Sequence, residues 1–598
     1  MAAGVIAAIS GPLVVPGNGA LALAALAAEA AAIITVIVVA IRIRSWSIGA
    51  LGALQLALSG IGCMIERGQG FHAEAPAFVL DSLSTILVLV VSLVGPVIVL
   101  YAIGYMNKHH EHAHPGEGSD RRFFLLMVGF LGVMNGLVLA NSLRWLGAFW
   151  EATTLCSFFL IGHTGTAEAK ANAKRALLLN SVGGVALAGA AVGAARAGAD
   201  SLSGIMAVKA LAPMALLCVA AFTKSAQMPF QSWLLGAMVA PTPVSALLHS
   251  ATMVKAGSYL VLRLAPAFSG QKLMFLVAIA GAFTFAVAST LAVGQSNAKK
   301  VLAYSTISNL GLIVACAGIN TPLAYAAALM ILSFHAVSKG LLFICIGTIE
   351  QFIRSRDIED MGSIMFQLPV TTVIALTGML SMLLPPFGML LSKWMAIEAA
   401  IASPLILVLV IAGSALTVLF WAKWIGRIQT VSYHPAYRRE QLPPTMLVTE
   451  IVLAAAVVIL GVAAIPLYHR FIEPLALSAY AGVEVPEASL ALLRAVKSSM
   501  VWPVFLFIGL AAAAIVIALM RFNEKHVRLP FLCGENCGEL REGGTLSYSF
   551  RGMKDARDTA WSATLYFRSI IHEGAITRWC SLLALLILIA MFGEIGVI

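Results

Sequence analysis

Apolar runs of about 20 residues recur along the whole chain, and one such run is what a helix needs to cross the ~30 Å hydrocarbon core of a bilayer. We place them near 20–41, 47–64, 78–104, 123–140, 143–162, 175–195, 211–237, 243–265, 273–294, 300–318, 322–351, 369–398, 404–426, 445–467, 499–521 and 577–597, sixteen in all. Lipid offers no hydrogen bonds, so each run must satisfy its own backbone, and helices do that. The expected fold is therefore an all-α polytopic membrane protein. Composition agrees: 60% of residues are hydrophobic and 11% charged, against about 25% charged in a soluble domain. Mean hydropathy is +0.93. Residues 1–16 are apolar but hold two prolines and two glycines, which suits a terminal or re-entrant piece. The first span carries no cleavage pattern of a secretory signal.

The net charge of +10 does not point to nucleic acid, because the charges fall in short loops between apolar runs. Loops of odd number carry Arg42 and Arg44, then Lys108, Arg121 and Arg122, then Lys170, Lys174 and Arg175, and later Lys299/Lys300, Arg354/Arg356, Lys423/Arg427/Arg438/Arg439 and Arg521/Lys525/Arg528; the odd loop near Met238–Thr242 alone is neutral. Even loops are poorer, with Arg67, Arg144, Arg196, Arg263, and a longer one with Arg470, Arg494 and Lys497. The positive-inside rule then makes odd loops cytoplasmic and puts both termini outside. The stretch "NKHHEHAHPGEG" at 107–118, with its histidines at 109–114, reads as a solvated cytoplasmic loop in preference to a metal site. The segment 552–574 alternates charges with Ala556, Ala560, Ala563, Phe567 and Ile570 at helical spacing, as in an amphipathic helix lying along the membrane surface. Six of the eight cysteines stand singly in apolar runs; only Cys533 and Cys537 are close, too little for a cluster. No dinucleotide fold signature is present, so no cofactor is expected in this chain.

Function is written in the charges inside the apolar runs. Glu151 lies in the fifth span, Lys224 in the seventh, His249 and Lys255 in the eighth, His335 and Lys339 in the eleventh and Lys393 in the twelfth. Each is costly against lipid and is expected to face protein or water. They are mostly basic and cannot all pair off. A lysine taken out of water exchanges protons closer to neutral pH than a solvated one, which suits a proton relay. His335 and Lys339, four apart, share one helix face. His249 and Lys255, six apart on one helix, would stand about 9 Å apart along its axis and about 120° around it. Glu151 is the one deep acid expected.

Prolines add a second signal. Pro229 follows Lys224, and Pro385 and Pro386 precede Lys393. Interrupted helices at membrane depth occur where backbone is buried or lines a wet cavity. A broken helix in each half, interrupted on opposite sides of its lysine, points to an inverted-repeat transporter.

The stretch "TKSAQMPFQSWLLGAMVAPTPVSALLHSATMVKAG" (223–257) closely resembles the signature of antiporter-like subunits of respiratory complex I, Mrp cation/proton antiporters and energy-converting hydrogenases. "VLAYSTISNLG" (301–311), "FHAVSKGLLF" (334–343) and "LPPFGMLLSKW" (384–394) are similar to later segments of that family. The resemblance covers roughly residues 80–430. It implies a fourteen-helix core with two inverted five-helix repeats, and a switchable Glu151–Lys224 pair. It also implies a lysine relay through Lys255, His335 and Lys339, with Lys393 as the terminal lysine. Gly184, in "NSVGGVAL", stands where the distal complex I subunit has an aspartate.

The domain reading is 1–120 for N-terminal helices, 121–430 for the antiporter-like core, 431–548 for C-terminal helices and loops, 549–575 for the amphipathic lateral helix and 576–598 for the last span. That short lateral helix, about 34 Å long, and "LCGEN" (532–536) look similar to large subunits of group 4 [NiFe] hydrogenases. The resulting expectation is the proton-translocating subunit of an oxidoreductase complex in the cytoplasmic membrane of a prokaryote. Its partners would be other membrane subunits and a peripheral redox arm, with a [NiFe] centre and iron–sulfur clusters held there. The alternatives are a Mrp-type Na⁺/H⁺ antiporter subunit or the distal complex I subunit; the same relay serves H⁺ or Na⁺ coupling. A scaffold whose charges are relics is the third reading, opposed by the completeness of the relay.

Overall fold

The long apolar runs become long helices. The computed structural model describes residues 13–15, 19–68, 76–110, 118–362, 364–384, 387–429, 440–483, 540–542, 545–547 and 571–594, with single positions between 487 and 493. In chain order the helices are α1 (Gly19–Arg42), α2 (Trp46–Gly68), α3 (Ser82–His110), α4 (Gly118–Leu139), α5 (Leu143–Ile161) and α6 (Ala167–Arg196). Then come α7 (Leu211–Lys224), α8 (Thr242–Ser250), α9 (Met253–Leu264), α10 (Lys272–Val293), α11 (Ala298–Ile319) and α12 (Pro322–Ile353). The last are α13 (Pro369–Ser381), α14 (Gly388–Ala399), α15 (Pro404–Ile428), α16 (Pro444–Val462) and α17 (Glu573–Gly593). Among the described residues, 11 helices are long and apolar enough to cross a membrane. The fold is an all-α polytopic membrane protein. The sequence-read span at 499–521, most of the lateral helix at 549–575, the histidines at 112 and 114, Pro385, Pro386, Cys533 and Cys537 lie outside the described residues.

Three spans are each two short helices, two of them broken where the prolines lead us to expect it. The run 211–237 stops at Lys224 and resumes as a turn of helix at Ser232–Gly236. The run 369–398 breaks between Ser381 and Gly388. The third break, between α8 and α9, departs from the sequence reading. Thr252 turns its Oγ1 onto the carbonyl of Leu247 at 2.9 Å, a local side-chain bond that competes with helix continuation. His249 and Lys255 therefore sit on separate helices, and the axial relation calculated for one helix does not hold.

At the amino end, strand β1 (Leu13–Val15) pairs antiparallel with β2 (Phe78–Leu80), in register Leu13↔Leu80. This strand displaces the start of the third span to Ser82. Asp81 then caps α3: its Oδ1 accepts the backbone N–H of Ser84 at 2.8 Å, and Ser84 Oγ accepts from the Asp81 N–H at 2.8 Å.

The loops sort into two ends. Asn141 donates to the carbonyl of Pro76, Leu143 to that of Asp200, and Arg263 pairs with Asp81 at 2.9 Å, so the even loops meet at one end. At the other, Ala298 donates to the Arg356 carbonyl, and Glu350 pairs with Lys299 at 2.8 Å and with Arg356. Helix α17 runs between the ends. Glu573 accepts hydrogen bonds from Tyr304 (2.7 Å) and Gln295 (3.1 Å) at the odd end, and Glu594 pairs with Lys272 at the even one. Helix α12 is the axis of the bundle. It is buried throughout except Ser333 and its last four residues, and packs against α3, α8, α11, α13, α14 and α16. Helices α1 and α2 pack on α5 and α6 at the flank.

Candidate functional site

Lys224 is the last residue of α7, where the helix dipole favours a cation. The side chain is fully buried. Its three N–H donors go to the Trp150 carbonyl (2.9 Å), Thr153 Oγ1 (2.8 Å) and Thr154 Oγ1 (2.7 Å), all on α5, and the ammonium lies 5.1 Å from the Trp150 ring centroid. Glu151, next to Trp150, is also fully buried, yet no ion pair joins it to Lys224 among the described residues. Its Oε1 accepts from Gln55 Nε2 at 3.2 Å and its Oε2 has no hydrogen-bond partner. Gln55 comes from α2 and has no signature in the sequence; it is a neutral residue in an apolar run. Gly184 of α6 faces both groups: a side chain there would collide with Glu151 Oε1 and the Gln55 amide. Gln55 thus takes up room that an aspartate at 184 would need.

Lys255 on α9 reaches α12. Its Nζ donates to the Leu332 carbonyl at 2.9 Å and lies 3.5 Å from His335 Nδ1. Helix α9 also packs closely on the end of α7, for a Cβ on Gly257 would stand 2.6 Å from Ser225 Oγ, just beyond Lys224. His335 therefore meets Lys255, not Lys339 as its helical spacing suggests, and its Nε2 has no partner. His249 packs its ring on Phe343 at 4.6 Å, and neither ring nitrogen has a hydrogen-bond partner. Lys339 turns the other way, to Ser305 Oγ (2.8 Å) and the Leu302 carbonyl (3.1 Å) of α11, with its Nζ 5.2 Å from the Trp421 ring centroid. Lys393 lies on α14, beyond the break between Ser381 and Gly388, and donates to Thr417 Oγ1 of α15 at 2.8 Å. All seven residues are buried, Lys393 the least so at 6%.

Two further acids are as deep as Glu151. Glu29 on α1 is 5% exposed and accepts from Ser59 Oγ at 2.7 Å. Glu450 on α16 is fully buried and accepts from Thr348 Oγ1 at 2.5 Å and from Thr371 Oγ1 at 2.8 Å. The single deep acid expected from sequence is thus one of three among the described residues. Both newcomers stand alone in apolar runs, the same signal that singled out Glu151. Among the described residues no group of three or more His, Cys, Asp or Glu is arranged to hold a metal ion.

A buried series of ionisable side chains on interrupted helices, closed off from lipid by a ring of spans, is the site of an ion-translocating membrane protein. Residues 140–419 match the family described as NADH:quinone oxidoreductase/Mrp antiporter, and residues 69–124 that described as the amino-terminal part of chain 5 of complex I. The chain belongs to this family of antiporter-like proton-translocating membrane subunits. It is 34% identical over 490 residues to the A subunit of the Na⁺/H⁺ antiporter of Alkalihalophilus pseudofirmus, covering 74% of this chain and 59% of that protein. It is 33% identical over 439 residues to the A1 subunit of the Na⁺/H⁺ antiporter of Staphylococcus aureus, covering 66% and 53%. A chain in the structure of the Mrp complex from Dietzia sp. DQ12-45-1b superposes with a TM-score of 0.58 at 25% identity, over 96% of this chain and 63% of that one. The chain spans less than two thirds of the length of each of these relatives.

These likenesses correct the expectation of an oxidoreductase subunit. The relatives are subunits of antiporters, transporters without an electron-transfer reaction in their names. The core motifs encode the relay and not its energy source, so they are shared by both branches. The hydrogenase reading rested on five residues, "LCGEN", and on a lateral helix outside the described residues. The peripheral redox arm finds no support in these relatives, and the [NiFe] and iron–sulfur centres in partners rested on the same reading.

Proposed function

We propose that this chain is the large antiporter-like subunit of a Mrp-type Na⁺/H⁺ antiporter, conducting protons through Glu151, Lys224, Lys255, His335, Lys339 and Lys393 while the assembled complex exchanges Na⁺. One observation carries the relay: Lys224 sits at a broken helix end, held only by neutral oxygens, with Glu151 adjacent and unpaired. An ammonium so held has no fixed counter-ion and is free to pass its proton on. Glu151 and Lys224 form an ion pair in one state and part in another, and the arrangement seen is the parted one. Lys255 and His335 bridge two short helices, and Lys339 and Lys393 extend the series to α15. His249 packs beside this line. The charge asymmetry supports odd loops in the cytoplasm and both termini outside. Other antiporter-like membrane subunits are its companions, a reading supported by the likeness to a chain of the Dietzia Mrp complex.

The test uses the complete antiporter complex in everted vesicles from cells lacking other Na⁺/H⁺ exchange. Added Na⁺ should dissipate an imposed pH gradient. Lys224→Ala should slow this by about tenfold or more, as for loss of a proton-transfer group, with the complex still assembled. Unchanged exchange in Lys224→Ala, or no response of the parent to Na⁺, overturns the assignment.

A further inference from the structure

Helices α1 and α2 carry polar groups that the relay from Glu151 to Lys393 does not use. On α2, Gln55, Ser59 and Glu66 fall on one face, since four and eleven residues are close to whole turns. On α5, Arg144, Gly147 and Glu151 form a matching stripe. Glu29 of α1 lies between the two. Its Oε1 accepts from Ser59 Oγ at 2.7 Å and lies 3.0 Å from where a Cβ on Gly147 would stand, one turn before Glu151. The series is open at one end only. Glu66 and Arg144 are 19% and 12% exposed at the even end, whereas Glu29, Ser59, Gln55 and Glu151 are all buried.

The charges do not close among themselves. Arg144 gives its Nε to Glu66 Oε2 at 3.0 Å and a second N–H to the same oxygen, but its distance to Glu29 Oε2 is 3.7 Å. One guanidinium thus faces two carboxylates and hydrogen-bonds only the outer one. Three buried acceptors along the stripe, Glu29 Oε2, Gln55 Oε1 and Glu151 Oε2, have no hydrogen-bond partner. Buried polar atoms are normally satisfied, and those that are not call for a function. Two of the three belong to carboxylates, which can take a proton, and they stand beside one excess negative charge.

We propose that α1 and α2 form the uptake route that brings protons from the even end to Glu151, with Glu29 as the intermediate carrier. A proton enters past the Glu66–Arg144 pair and binds Glu29, which becomes neutral. It then moves by way of the Ser59 hydroxyl to Glu151, leaving Glu29 ionised, and Glu151 hands it to the Lys224 amine. Arg144 stays charged throughout, balanced by Glu66. Gln55 is a positioning residue: its amide holds the Glu151 carboxyl toward the stripe. This rests on the antiporter reading, which supplies the direction.

The experiment uses the whole complex in everted vesicles, with Na⁺-driven proton movement measured between about pH 7 and 9. Glu29→Gln should cut exchange by about tenfold or more, and Ser59→Ala should move the pH profile while leaving the amount of assembled complex unchanged. Glu29→Gln with the parent's rate at every pH overturns the proposal. A second reading needs no variant. Dicyclohexylcarbodiimide modifies protonated carboxyls in apolar surroundings, and peptide mass spectrometry of the treated parent complex reports Glu29 directly. Labelling of Glu29 that slows as pH rises supports a proton carrier. An unlabelled Glu29 at every pH marks a permanent ion-pair partner of Arg144 and overturns it, even where Glu29→Gln fails to assemble. A parent complex without Na⁺-linked proton movement sinks the antiporter reading instead, and the labelling still decides the role of Glu29.

Discussion

Gln55 and Gly184 share one small volume beside Glu151. Gly184→Asp would push into the Glu151 carboxyl and the Gln55 amide, at the ~1–3 kcal/mol typical of overpacking. We expect the variant complex to melt earlier and exchange ions more slowly. Gln55→Ala in the same chain should restore part of both, because it reopens the space; a double-mutant cycle in melting temperature checks the coupling. Glu450 belongs to the same scale. Its carboxyl joins α12, α13 and α16 through Thr348 and Thr371. Glu450→Gln keeps the shape and removes the charge. Exchange slowed by about tenfold or more with normal melting would make Glu450 part of the ion path, whereas lowered melting with parental exchange would make it a fastener. The seven candidate residues were legible because a charge in an apolar run is visible in one dimension. Glu29 and Glu450 met that criterion too, inside 20–41 and 445–467, but lay outside the stretches that resemble known motifs. Gln55 was not legible at all, since a neutral amide in an apolar helix carries no periodic or electrostatic mark. Nor were the partners legible: helix spacing joins His335 to Lys339, whereas packing turns one toward Lys255 and the other toward Ser305.

At the scale of elements, proline forecast two of the three helix breaks. The third came from Thr252 bonding to Leu247, and threonine in an apolar run is too common to announce a break. The start of α3 moved for a comparable reason: Phe78–Leu80 reads as apolar span but pairs as a strand. That strand ends at Asp81, which caps α3 and pairs with Arg263. Burial alone would raise the Asp81 carboxyl, yet the Arg263 guanidinium and the Ser84 hydrogen bonds outweigh it and hold it below the usual carboxylate range. A group depressed on folding contributes stability above its unfolded value and loses it as pH falls through the folded one. Asp81→Asn should therefore lower the melting temperature at neutral pH. The gap to the parent should shrink in acid below about pH 4; a gap that persists there would mean the carboxylate charge contributes nothing.

For the molecule as a whole, the two-ended sorting of loops is the strongest constraint. Charge counting divided the loops by parity before any contact was known, and the bundle gathers the same two groups at opposite ends. Labelling intact cells with a membrane-impermeant maleimide checks which end faces out. Ala197→Cys, exposed after α6, should react, and Thr164→Cys, exposed before it, should react only after the membrane is opened; the reverse pattern would invert the orientation. The relay proposed above is interrupted. Among the described residues no hydrogen bond joins Lys224 to Lys255, His335 to Lys339, or Lys339 to Lys393, although each of those lysines is bonded to something else. An unbroken wire of proton donors through a bilayer would be a short circuit. Each charge running down a 100 mV potential dissipates about 2.3 kcal/mol. In the proposed antiporter, the gaps between one ammonium with its carbonyl and hydroxyl partners and the next ammonium are the insulation. On that reading they keep the membrane from leaking when no counter-ion is there to be exchanged, and a cell lives or dies by the quality of that insulation as much as by the conductor.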